Sequence, residues 1–109
     1  MSKNYLWQVA YSNDAWATQI SNPQNRLEKV SAMLEPSGIK LVQAYATFGE
    51  YDIIAIVEAP DDKTIAAASI AVTSSGSVSK LTTSPLIPVD DLVEALKIAQ
   101  TISYTPPTK

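Results

Sequence analysis

The sequence contains no cysteine and no histidine among its 109 residues. Without cysteine there can be no disulfide, no thiolate nucleophile and no cysteine-held iron–sulfur cluster. Without histidine a Ser-His-Asp relay is excluded, and a zinc site would lack both of its preferred ligand types. The groups left for chemistry are carboxylates, eight Lys and Arg side chains, five tyrosines and two tryptophans. We therefore expect neither a metal site nor another bound cofactor.

Long apolar runs and an excess of positive charge are also missing. No run approaches the roughly 20 residues of a membrane-spanning helix, and residues 1–4 lack the charged-then-apolar pattern of a signal peptide. The formal net charge is −3 and the lysines are scattered singly, which is atypical of a surface that neutralises phosphates. We expect a cytoplasmic protein that binds neither membranes nor nucleic acid.

The length and the residue pattern predict one α+β domain. A chain of 109 residues can build one hydrophobic core but not two. Asn22 before Pro23 predicts the start of the first long helix after a short helical turn at Trp16, and Gly49-Glu50 predicts a two-residue hairpin turn. The predicted strands are 4–11, 39–48, 51–59 and 78–86, and the predicted helices lie between 23 and 36, over 63–74 and from 88 onward.

With right-handed crossovers, this order gives a ferredoxin-like βαββαβ sandwich with an extra C-terminal helix. Both main helices then cover one face of a four-stranded antiparallel sheet. We predict residues 1–103 as the domain and residues 104–109 as an extended tail that contains two prolines.

The register of the hairpin divides its side chains between the two faces of the sheet, because opposed residues point to the same side. One face is wholly apolar and suits the helices. Its residues are Val42, Ala44, Ala46, Phe48, Tyr51, Ile53, Ala55 and Val57. The other face is mixed, with Leu41, Gln43, Tyr45, Thr47, Asp52, Ile54, Ile56 and Glu58. The mixed face is too apolar for water and too polar for a dry core, so it needs a cover.

Two covers for the mixed face are open. A second copy of the chain can lie against it, and a cavity between the two copies would account for the polar residues. Alternatively, the third helix folds over the sheet and closes the monomer. We favour the second copy and predict a homo-oligomer, either a dimer or a larger assembly.

The polar side chains of the mixed face are the candidate ligand contacts. Asp52 is the best catalytic candidate, because a partly buried carboxylate opposite Thr47 and near Tyr45 would suit proton transfer. The alternative is that this carboxylate accepts hydrogen bonds from loop backbone or pairs with Arg26. The predicted ligand pocket consists of Gln8, Gln43, Tyr45, Thr47, Asp52 and Ile54.

The tetrapeptide Gly49-Glu50-Tyr51-Asp52 resembles the motif after which the GYD domain family is named. The likeness extends over about residues 4–97. It includes Tyr11 with its polar turn, Asn22-Pro23 with Arg26, residues 58–62, and Gly76-Ser77-Val78. The resemblance implies a ferredoxin-like fold of the dimeric α/β-barrel type, in which two sheets associate face to face, and it implies no settled activity. Ser79 beside Lys80 departs from the more basic start of the fourth strand in the family and argues against an anion site there.

Three functions are compatible with the sequence. The first, our working hypothesis, is a homo-oligomeric domain that binds a small organic ligand in a cavity between sheet faces. The second is a cofactor-independent enzyme that resembles isomerases or monooxygenases of the dimeric-barrel superfamily, with Asp52 as the base. The third is a structural assembly unit that associates through the alanine-rich second helix and the tail.

Overall fold

A computed structural model of the chain describes residues 2–108 and contains a four-stranded antiparallel sheet in the strand order β2-β3-β1-β4. The strands are β1 (Lys3–Tyr11), β2 (Lys40–Ala46), β3 (Ile53–Ala59) and β4 (Val78–Leu86). The helices are α1 (Asn13–Ser21), α2 (Arg26–Leu34), α3 (Asp62–Ser74) and α4 (Val89–Ala99), and a 3-10 turn covers Glu35–Ser37. The predicted ferredoxin-like order with an extra C-terminal helix is confirmed. Residues 1 and 109 of the predicted ranges lie outside the described residues.

The hydrophobic core lies between the two central strands and α3. Its buried side chains are Tyr5, Trp7, Ile39, Ala55, Val57, Ala59, Ile65 and Ala68. Two of the buried core residues on β3, Ala55 and Ala59, have small side chains. The start of α3 is fixed by Asp61, whose side chain accepts a 2.8 Å hydrogen bond from the backbone N–H of Thr64. Hydrogen bonding from Thr64 also lowers the pKa of Asp61.

The first connection differs from the prediction at its helix boundaries. The segment around Trp16 is a nine-residue helix rather than a short turn, because the Ser12 side chain caps it by accepting from the Ala15 N–H at 3.2 Å. The cap of α2 is Asn25, which accepts from Leu27 N–H at 3.1 Å, so the Asn22-Pro23 prediction was three residues early. Pro23 lies in the loop instead of the first helical turn.

A β-bulge in β2 corrects the predicted faces of two residues. Leu41 pairs with Val57 and Gln43 pairs with Ile56, so Val42 is the extra residue between these pairs. Leu41 therefore contacts the core on the helix side, whereas the prediction placed it on the mixed face. Val42 was predicted to face the helices, and it is 52% exposed.

The end of the hairpin is longer than a two-residue turn. Strand β2 ends at Ala46 and β3 begins at Ile53, although the Thr47 N–H still donates to the Asp52 carbonyl at 2.8 Å. Phe48 is 99% exposed and does not pack on the helices as predicted. The Tyr51 hydroxyl lies 3.0 Å from Thr82 Oγ1, on the face away from the helices. Phe48 and Tyr51 lie outside the two strands, so their side chains need not alternate between the faces of the sheet as the prediction assumed.

Helix α4 stands apart from the sheet. Every residue of α4 is exposed, and the radius of gyration of the chain is 17.6 Å, compared with about 13 Å for a compact domain of this length. The structure therefore contradicts the alternative in which this helix folds over the sheet and closes the monomer. Within residues 2–108, no helix has both the length and the hydropathy needed to cross a bilayer.

Candidate functional site

The sheet face opposite α2 and α3, which we call the open face, contains no buried residue. The strand register arranges its side chains in rows across the sheet. One row is Tyr45, Ile54, Gln8 and Thr82, and the next is Gln43, Ile56, Leu6 and Ser84. The central strands β1 and β3 thus present Leu6, Ile54 and Ile56 on this side. Strand β3 is apolar on both faces except at Glu58, which is typical of a strand that is covered on both sides.

Four of the six predicted pocket residues lie together on the open face. Gln8 and Tyr45 are both paired with Ile54, one on each side of it, and Gln43 lies in the adjacent row. The other two, Thr47 and Asp52, lie at the end of the hairpin, where the Thr47 N–H donates to the Asp52 carbonyl.

The carboxylate of Asp52 is held by the backbone of β1. Its Oδ2 accepts a hydrogen bond from the Tyr11 N–H at 2.9 Å, and the Asp52 N–H donates to the Val9 carbonyl at 2.8 Å. These bonds extend the β1–β3 pairing past the end of β3. Asp52 thus makes the backbone contact that the sequence offered as the alternative to catalysis, and its role as a base stays a prediction.

Arg26 interacts with Tyr11 instead of Asp52. Its guanidinium carbon lies 5.7 Å from the centre of the Tyr11 ring, and Nη1 donates to the Ala15 carbonyl at 3.5 Å. Burial raises the pKa of Tyr11, the positive charge of Arg26 opposes that rise, and the negative charge of Asp52 adds to it. Tyr11 therefore stays neutral at physiological pH.

A polar cluster at one end of the open face was missed by the sequence analysis. Lys80 Nζ forms a 2.6 Å ion pair with Glu50 Oε2 and lies 4.9 Å from the centre of the Tyr51 ring. The hydrogen bond to Glu50 raises the pKa of Lys80. Opposite charges 30 residues apart give no local signal of pairing, so this contact depends on the position of β4 beside β1. Residues 2–108 contain no group of carboxylates arranged to hold a metal ion.

Comparison with known proteins places this sheet and its hairpin in a family. A family model described as GYD domain matches residues 5–96, which include all four strands. The chain belongs to the GYD domain family. The chain is also 40% identical over 87 residues to a Thermus thermophilus protein named "Glutamine synthetase and cystathionine beta-lyase binding protein". The matched region covers 79% of this chain and 90% of that relative.

The Tyr and Asp of the GYD motif both connect the hairpin to other strands. Tyr51 reaches Thr82 on β4, and Asp52 binds the backbone at the end of β1. In this GYD domain the motif therefore fixes the end of the hairpin against the sheet. The Tyr51 and Asp52 side chains thus lie at the edge of the open face, at the end where Lys80 is located.

Proposed function

We propose that this GYD domain is a protein-binding module that acts as a homodimer and docks on metabolic enzymes through α4. The name of the Thermus relative supports binding to enzymes as the activity. The observation that carries the proposal for this chain is the unpartnered apolar stripe of α4.

The stripe of α4 has the spacing of a helix that is recognised in a groove. Val89, Leu92, Val93 and Leu96 recur at positions i, i+3, i+4 and i+7, and they are 46–75% exposed. The charged residues of the helix lie outside this stripe, with two aspartates in the first turn and a 3.7 Å ion pair between Lys97 and Glu94. Because the helix stands apart from the sheet, a partner can reach the stripe without any rearrangement of the core.

The open face supports the homodimer part of the proposal. Leu6, Ile54 and Ile56 lie on the two central strands, where water contact with large apolar side chains is unfavourable by about 25 cal/mol per Å². A second copy offers a face of the same composition, and a two-fold axis would bring the two identical faces together. The open face is thus assigned to a second copy, and α4 is assigned to the enzyme.

Binding to purified glutamine synthetase and purified cystathionine β-lyase from the same organism tests the proposal, with biolayer interferometry as the measurement. We expect the double variant Leu92→Glu/Leu96→Glu to bind at least about tenfold more weakly, because two stripe residues are lost from the centre of the interface. The control is Lys97→Glu outside the stripe, which changes the net charge by the same −2 and should bind like the parent chain. Failure of both enzymes to bind, or equal binding by the double variant, would contradict the proposal.

A small-molecule site between the paired open faces is the second candidate function. The polar side chains of Gln8, Tyr45 and Thr82 in a row with Ile54 favour it, because paired apolar sheets have no need of them. A crystal structure of the dimer tests this site. A cavity bordered by Gln8 and Tyr45 supports it, and sheets that pack without a cavity contradict it.

If such a ligand is turned over, Asp52→Asn should abolish turnover, whereas in a purely binding site the variant keeps the affinity.

A further inference from the structure

An apolar cavity of about 370 Å³ lies on the other side of the sheet, between the strands and helices α2 and α3. Its walls include Val9 and Ile53 from the sheet, Val30 from α2 and Val72 from α3. Small-molecule sites in proteins occupy roughly 300–1,000 Å³. The volume of this cavity therefore falls in the range of ligand sites.

One buried donor in the cavity wall has no partner. Trp7 borders the cavity and is 4% exposed, and its Nε1–H makes no hydrogen bond within residues 2–108. A buried indole N–H normally donates to an acceptor. Because Trp7 borders the cavity, its indole N–H signal reports on a molecule bound there.

One cation also borders the cavity. Arg26 lies in its wall, and no carboxylate is among the lining residues. In the described part of the chain Arg26 forms no ion pair; its guanidinium donates a hydrogen bond to the Ala15 carbonyl and lies over the Tyr11 ring. A guanidinium beside an apolar space is suited to a carboxylate that carries an apolar body, because its fork of N–H donors matches the two carboxylate oxygens.

We propose that this cavity binds an organic acid with an apolar body. The body lies between α2, α3 and the sheet, and the carboxylate pairs with Arg26. This site is on the opposite side of the sheet from the open face and is independent of the protein-binding function proposed above.

Decanoate and 1-decanol are suitable probes, since they share an apolar chain and differ in charge. Isothermal titration gives the affinities, and the two tryptophan indole N–H signals in ¹H–¹⁵N spectra locate the bound molecule, with Trp16→Phe assigning the Trp7 signal. We expect decanoate to bind once per chain and to shift the Trp7 signal. Arg26→Gln should weaken decanoate by at least about tenfold and leave decanol unchanged. The control Lys29→Gln, on the exposed side of α2, should change neither affinity.

Val30→Phe tests the cavity without altering Arg26. The larger side chain should fill part of the space and abolish the binding of both probes. The proposal is overturned if decanoate does not saturate a site at Trp7, if Arg26→Gln and Lys29→Gln have equal effects, or if Val30→Phe binds like the parent chain.

Discussion

At the scale of single residues, Tyr5 shows how the core and the start of α3 depend on each other. Its ring is buried beneath α3, and its hydroxyl donates to Asp62 Oδ1 at 2.5 Å. Burial, followed by the hydrogen bond and the negative charges of Asp62 and Asp61, raises the pKa of Tyr5 to about 12. A phenolate at this place would be poorly solvated and close to two carboxylates.

This pKa predicts a loss of stability at alkaline pH. The folded state holds the Tyr5 proton up to about pH 12, whereas the unfolded chain releases it at its ordinary value of 10.0. The contribution is therefore complete below pH 10 and decreases as the pH rises towards 12. Urea unfolding at about pH 9 and about pH 11 should show a smaller pH-dependent loss for Tyr5→Phe than for the parent chain. Tyr104→Phe, in the exposed tail, is the control, and an equal loss in both variants would contradict the assignment.

At the scale of elements, the turn from the 3-10 helix into β2 depends on Gly38. Its φ of +79° lies in the left-handed region, and a Cβ there would lie 3.1 Å from Pro60 Cγ. The close approach brings the end of the first crossover against the start of the second. Gly76, before β4, has a similar φ of +82° but open space around it.

The two glycines give a matched test. We expect Gly76→Ala to lower the free energy of unfolding by about 1–2 kcal/mol, because alanine disfavours the left-handed region. Gly38→Ala should lower it further, since the added methyl group also meets the proline ring. Urea denaturation measures both values. If the two variants have the same free energy of unfolding, the contact with Pro60 makes no contribution to stability.

The order of the elements could be predicted because alternation and capping are local signals. Strand β4 has the predicted bounds, and β1 differs by one residue. The bulge at Val42 could not be predicted, since the apolar residues of β2 fit a regular pairing with β3 as well as a bulged one. The α2 cap was placed at Asn22 because Pro23 follows it, whereas Asn25 offers the same capping side chain three residues later.

The candidate site was predictable only where the hairpin register determines it. Gln43, Tyr45 and Ile54 share a face because β2 and β3 are adjacent in sequence. The contacts of Tyr51 with Thr82 and of Asp52 with Tyr11 connect strands that are distant in sequence. Such contacts depend on the order of strands in the sheet and on a hairpin end that no spacing rule describes.

At the scale of the whole molecule, residues 2–108 carry large apolar side chains outside the buried core. The buried core is confined to one side of the sheet, and the open face and the α4 stripe both meet solvent. The proposed homodimer would cover the open face, and the proposed enzyme partner would cover the α4 stripe.

Sedimentation equilibrium at about 10 µM, where a stable dimer with a Kd near 1 nM is fully associated, tests the homodimer most directly. The account predicts twice the chain mass of 11.7 kDa for the parent chain and a single chain mass for Ile54→Glu, which places a charge at the centre of the open face. Gln24→Glu, which changes the net charge equally in an exposed loop, should keep the doubled mass. A parent chain with the mass of one copy, or an Ile54→Glu variant that retains the doubled mass, would contradict the account.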